Sequence, residues 1–191
     1  AGIYNHIDGD GREYVVTQPD AVYVASEPAR SVQRVDLRTF MPVHPDQDSA
    51  NYSADITDPC IAQAASTVEM LEVGARALLF DEGDSSPAFL SRDARFDSII
   101  SGTYINPLSA VAKDLVEEIG ISLVVSGYNC VSEFIPIADT ILYLSDYEIS
   151  DITAQAKEGD FRAIGALESA APITEIVDKA RWLVPSSIDA S

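Results

Sequence analysis

The sequence predicts an α/β domain, a mostly parallel sheet flanked by helices, with a β-rich segment at its N-terminal end. Three observations carry this. Two amphipathic helical patterns open at Asp58-Pro59 and Asn106-Pro107 and close at Gly74 and Gly120. Each is followed at once by a short apolar run, Ala77 to Phe80 and Ile121 to Val125, read as buried strands. Helix, tight glycine turn and buried strand, repeated, is the grammar of a parallel sheet covered on both faces.

Taken in order, residues 3–25 read as β-rich. Gly9-Asp10-Gly11 is a turn signal, flanked by Tyr14-Val15-Val16 and Val22-Tyr23-Val24. Residues 41–58 hold Pro42, Pro45 and several Asp and Asn with little periodicity, and read as a loop. In the first helix Asp58 is the N-cap and Pro59 the first helical residue; Ile61, Ala64, Ala65, Val68 and Leu71 recur at helical spacing. In the second, Asn106 caps and Pro107 opens. Leu108, Val111, Ala112, Leu115, Val116 and Ile119 form the apolar face, opposite Lys113, Asp114, Glu117 and Glu118. Thr140 to Leu144 reads as a further strand. From Ala154 onward the pattern weakens to a helix at Ile173 to Trp182 and a Pro/Ser ending. We divide the chain into a core at 1–157 and a C-terminal extension or linker at 158–191.

The 191 residues suffice for one domain with a real core. With 47% apolar and 23% charged residues the composition is that of a soluble globular protein, and a cytoplasmic location is expected. No apolar run reaches the ~18–20 residues of a membrane helix, and no signal-peptide pattern is present. Cys60 and Cys130 make neither a disulfide framework nor a metal set. Twelve basic residues against 31 acidic ones give −19, and only Lys113, Lys157 and Lys179 are lysines. Such a surface repels phosphate backbones, so this segment is not expected to contact nucleic acid. Adaptation to high salt and plain acidity explain the charge equally well.

The chemistry-bearing feature is Ala77 to Glu82, ALLFDE, an apolar run ending in two carboxylates. A Walker B strand has this shape, with one acid for Mg²⁺ and the next for an attacking water. The C-terminal end of a buried strand is where α/β sites lie. A polar turn after a strand is the plain alternative. The partner motif, G-x-x-x-x-G-K-[ST], occurs nowhere in the chain. Asp58 sits at a helix N-terminus, which attracts phosphate, but its carboxylate opposes one. Ser126-Gly127-Tyr128-Asn129 follows a strand and reads either as a phosphate-approaching loop or an ordinary βα loop. Arg92 and Arg95 suit a phosphate clamp or surface ion pairs. Arg30, Arg34 and Arg38 read as a solvated face. His6 and His44 stand apart from any ligand cluster.

Several segments together resemble one family, the soluble ABC-class ATPases, P-loop proteins distinct from the membrane transporters. Gly2 to Glu13, then Val16-Thr17 and Asp20-Ala21-Val22, are similar to the stretch after the family's Walker A helix. Gln63-Ala64-Ala65, Glu69, Leu71-Glu72 and Gly74-Ala75 resemble its signature helix, and Leu78 to Glu82 its Walker B. Ser85, Phe89, Arg92 and Asp93 resemble the D-loop region. Gly120-Ile121-Ser122, Ala138-Asp139-Thr140, Asp146-Tyr147 and Asp151 to Ala154 fit the strands and loops that follow, and Pro185 to Ser191 a later Pro/Ser stretch. The likeness covers nearly the whole chain.

The resemblance implies a P-loop NTPase core of ABC type, using ATP and Mg²⁺ and dimerising around nucleotide. It implies Asp81 as the Mg²⁺ ligand and Glu82 as the catalytic acid that orients water. It implies nucleotide-facing roles for Asp58, Cys60, Gln63, Ser85, Ser126 and Gly127. It also implies that the chain is the middle of a longer protein whose Walker A loop precedes Ala1, so that the chain alone is inactive. Three departures stand against full activity. Asp58-Pro59-Cys60 replaces a Ser-Gly-Ser signature, Tyr128-Asn129-Cys130 replaces a glycine-rich switch, and Gly83-Asp84 replaces an acid and Thr. A non-catalytic interaction or regulatory module is therefore the rival expectation, and an ATPase acting on nucleic acid a weaker third.

Overall fold

The computed structural model describes residues 9, 11, 14–93, 105–128, 131–159 and 170–177. Its centre is a parallel sheet of three strands: β1 (Ala21–Tyr23), β4 (Ala77–Asp81) and β5 (Ser122–Ser126), in the order β1-β4-β5. The register pairs Ala21 with Ala77 on one side of β4 and Ala77 with Ser122 on the other, so the three strands start level. Strands β2 (Val32–Val35) and β3 (Tyr52–Ala54) form a separate antiparallel pair. Much of 41–58 is irregular as expected, but β3 and the 3₁₀ turn Ser49–Asn51 are ordered there. Tyr52 alternates with solvent-facing Ser53 and pins that strand to the core.

Helix α1 (Pro59–Glu72) precedes β4, and the expected caps are observed. Asp58 Oδ1 accepts from the Cys60 N–H at 2.8 Å, Pro59 opens the helix, and Gly74 leaves it with φ +91°. Ile61, Ala64, Ala65, Val68 and Leu71 are all buried. A short helix α2 (Pro87–Leu90) follows β4 and places Phe89 between Phe40 and Phe80, with ring centroids 5.6 and 5.8 Å away. Helix α3 (Leu108–Asp114) runs on as a π-helical turn, Leu115–Ile119, to Gly120 at φ +75°. Its charged face is exposed as expected. Val116, expected on the apolar face, is exposed.

Four readings need correction. Asn106 does not cap α3: it is fully buried, and its Nδ2 donates to the Thr39 carbonyl at 2.6 Å, so Pro107 occupies the cap position. Tyr14 and Val16 lie outside any strand and are exposed; of residues 14–25, only Ala21–Tyr23 pair. Strand β5 is not fully buried. Leu123 and Val125 pack on the core, whereas Val124 on the other face is 52% exposed. A continuous apolar run cannot show which of its two faces is covered. The strand at Thr140 to Leu144 is displaced to β6 (Leu142–Ser145) and pairs antiparallel with β7 (Glu148–Asp151). Asp146 and Tyr147, both at positive φ, make the two-residue turn that folds them into a hairpin.

Helix α4 (Thr153–Lys157) follows the hairpin, and α5 (Ile173–Val177) returns to the core through fully buried Ile173 and Ile176. Arg38 anchors it, donating to Asp36 at 2.8 Å and Glu175 at 2.9 Å, while Thr39 Oγ1 donates to the Ala171 carbonyl. Arg30 bonds Ser66 and Glu69 of α1. These two arginines are partly buried ties between elements, unlike the solvated face expected of them; Arg34 is exposed.

Candidate functional site

The parallel sheet sets the site. Because β4 is central and its neighbours run the same way, the chain segments leaving all three strands emerge at one edge. Asp81 ends β4 and faces Ser126, its register partner at the end of β5. The Ser126 hydroxyl donates to Asp81 Oδ2 at 2.5 Å, and the Gly83 N–H to Oδ1 at 2.8 Å. Glu82, the next residue, begins a 3₁₀ turn (Glu82–Asp84), and its Oε2 accepts from the Tyr128 N–H at 2.6 Å. Both acids are partly exposed. From β1, the Tyr23 hydroxyl donates to Asp84 Oδ2 at 2.5 Å. Burial raises the Tyr23 pKa well above its usual value, helped by the Asp84 hydrogen bond and then by the charges of Asp84 and Asp81.

A second cluster joins this edge to the start of α1. Gln63 is fully buried. Its Oε1 accepts from the Ser86 N–H at 2.8 Å, and its Nε2 donates to Ser85 Oγ at 2.9 Å and to the Val24 carbonyl at 3.4 Å. Ser26 reaches the same place from β1: its N–H donates to the Asp84 carbonyl at 2.8 Å and its hydroxyl to the Pro59 carbonyl at 3.2 Å. Cys60 is buried there as well. Burial pushes its thiol up to about 12, reinforced by the Asp58 charge and opposed by a hydrogen bond with Ser86.

The residues singled out in the sequence thus fall into two groups. Asp81, Glu82, Ser126 and Gly127 converge at the ends of β4 and β5. Cys60, Gln63 and Ser85 are enclosed beneath the start of α1, with Asp58 exposed above them. Arg92 donates to the Ile105 carbonyl at 3.0 Å; Arg95, His6 and Cys130 lie outside the described residues. His44 accepts from the Asp46 N–H. Sequence reasoning missed Tyr23, Ser26 and Ser86. Their only signal is position: Tyr23 ends β1, Ser26 lies three residues beyond it, and Ser86 precedes α2 in the segment after β4. Among the described residues, no three His, Cys, Asp or Glu side chains form a set for a metal ion, and no helix is long and apolar enough to cross a membrane.

The central strand is apolar and ends in adjacent carboxylates, on a parallel sheet fed by a capped helix. The ABC_ATPase model, described as a P-loop domain, matches residues 1–180. The chain belongs to the ABC_ATPase family. No curated protein matches it. Membership makes this a P-loop, nucleotide-binding ATPase-type domain, with the α/β fold and parallel sheet described above. In this ABC_ATPase chain the turn that follows β4 and the start of α1 are tied together through Gln63, Ser85, Ser86 and Ser26.

Proposed function

We propose that this ABC_ATPase chain supplies the Walker B and signature parts of an enzyme that binds and hydrolyses ATP with Mg²⁺ when joined to a phosphate loop. The observation that carries the reading is the pair Asp81 and Glu82 at the end of the central strand, each carboxylate held by a group from the end of β5. Asp81 Oδ2 beside Ser126 Oγ is a hard-oxygen set. The carboxylate keeps lone pairs beyond its two hydrogen bonds, which fits an ion that takes one or two carboxylates plus water and phosphate oxygens. The chemistry that a Mg²⁺ held there would supply is charge neutralisation on the transferring phosphoryl group. Glu82 would accept a hydrogen bond from the attacking water and aim it. Ser126 and Gly127 would face the γ-phosphate. Asp58 would lie toward nucleotide held by a second subunit, with Cys60, Gln63 and Ser85 framing that helix end from below.

A non-catalytic regulatory module is the second reading, favoured by one observation. The α1 N-terminus is already capped by the Asp58 carboxylate, and Pro59 there has no N–H to offer a phosphate. Measuring MgATP turnover of this chain and of the chain joined to a Walker A segment separates the readings. We expect turnover only in the joined protein. ATP-dependent thermal stabilisation without turnover would establish the module, and turnover by the short chain would sink the division of labour proposed.

A further inference from the structure

Three successive residues leaving β5 meet the two acids leaving β4. Ser126 Oγ reaches Asp81, the Tyr128 N–H reaches Glu82, and Gly127 passes between them. An added Cβ at Gly127 would sit 2.5 Å from Glu82 Oε2, 2.8 Å from Glu82 Cβ and 2.8 Å from Val131 Cγ1. The carboxylate end of Glu82 could swing aside, but its Cβ and the Val131 methyl close the space from two directions. Glycine is therefore needed here for room. The Tyr128 ring is 89% exposed, so it is the backbone of this residue that grips Glu82.

From this geometry we propose that Gly127 is a positioning residue. Its missing side chain lets the Tyr128 amide approach Glu82 and hold that carboxylate in one orientation at the end of β4. A carboxylate fixed by a backbone N–H has one face held and its remaining lone pairs directed to a set place. The loop after β5 thus sets the aim of the acid that follows β4, without contributing a side chain of its own at 127 or 128. The inference rests on the proposed role of Glu82 for its functional meaning, but its structural content is independent of nucleotide.

Amide hydrogen exchange on this chain, without nucleotide, tests that content. We expect the Tyr128 N–H to be protected, and Glu82→Ala and Gly127→Ala each to speed its exchange about 10-fold or more while the β4 and β5 amides are unchanged. Equal Tyr128 exchange in the wild type and Glu82→Ala overturns the proposal. Should Gly127→Ala lose sheet protection altogether, the Glu82→Ala comparison decides alone. In the protein joined to a Walker A segment, Gly127→Ala should lower kcat by about 10²-fold with KM little changed. It should add nothing further in a Glu82→Gln background; fully additive losses would contradict a role through Glu82. If the wild-type joined protein fails to turn over ATP, the proposed function falls while the exchange result still judges the Gly127 contact.

Discussion

Gln63 shows how much a single buried amide can hold. It has no exposed surface, and both ends of its side chain are used: the oxygen on Ser86, the nitrogen on Ser85 and Val24. Replacing it with Leu keeps roughly the same bulk but takes the partner from the part-buried Ser86 N–H and from the carbonyl of buried Val24. We expect Gln63→Leu to cost about 2–4 kcal/mol, because each stranded group costs about 1–3 kcal/mol. Urea unfolding measures this, and a loss within about 0.5 kcal/mol, the range of ordinary surface changes, would contradict the network. Tyr23 makes a pH-dependent counterpart. Burial and Asp84 raise its pKa above the usual value of about 10, so the folded chain binds the phenolic proton more tightly than the unfolded chain does. The stability this contributes is fully present below about pH 10 and is lost as pH rises through the folded value. Tyr23→Phe should therefore flatten the alkaline limb of a stability–pH curve; an unchanged slope above pH ~10 would refute the assignment.

At the scale of elements, α1 was legible because its signals are local. Asp58, Pro59 and Gly74 each act on backbone groups within three positions, so nearby residues suffice to place both ends of the helix. Asp58→Ala should cost about 1 kcal/mol of stability by removing the Cys60 N–H partner, whereas Asp58→Asn should cost little, because the amide oxygen can still accept. Equal melting temperatures for Asp58→Ala and the wild type would show that the cap contributes nothing. The second helix was less legible for a physical reason. Asn106 looks like a cap in sequence, but its amide is captured by the Thr39 carbonyl, 67 residues away, and no local pattern encodes that. The β6–β7 hairpin was misread for the opposite reason. Its turn, Asp146-Tyr147, lacks the Asn-Gly or Asp-Gly pair that advertises two positive-φ residues, so the run before it reads as a single strand rather than half of a hairpin.

For the whole molecule, the order helix, glycine turn, strand was enough to foresee the α/β core, and the parallel β1-β4-β5 sheet follows it. What the linear pattern did not contain was the convergence at the sheet edge. Tyr23, Ser26, Gln63, Ser85 and Ser126 are spread over about a hundred positions, and the β1-β4-β5 register together with the packing of α1 brings them to the same end of the sheet. That convergence ties the turn that follows Asp81 and Glu82 to the start of α1. A change at either is expected to be felt at the other within the same subunit. The central claim is that Glu82 acts on water while Asp81 serves the metal. Single-turnover hydrolysis of ATP by the chain joined to a Walker A segment, wild type against Glu82→Gln, tests it most directly. The account predicts a loss of hydrolysis of about 10²- to 10⁴-fold with ATP binding retained. Hydrolysis undiminished in Glu82→Gln would contradict it.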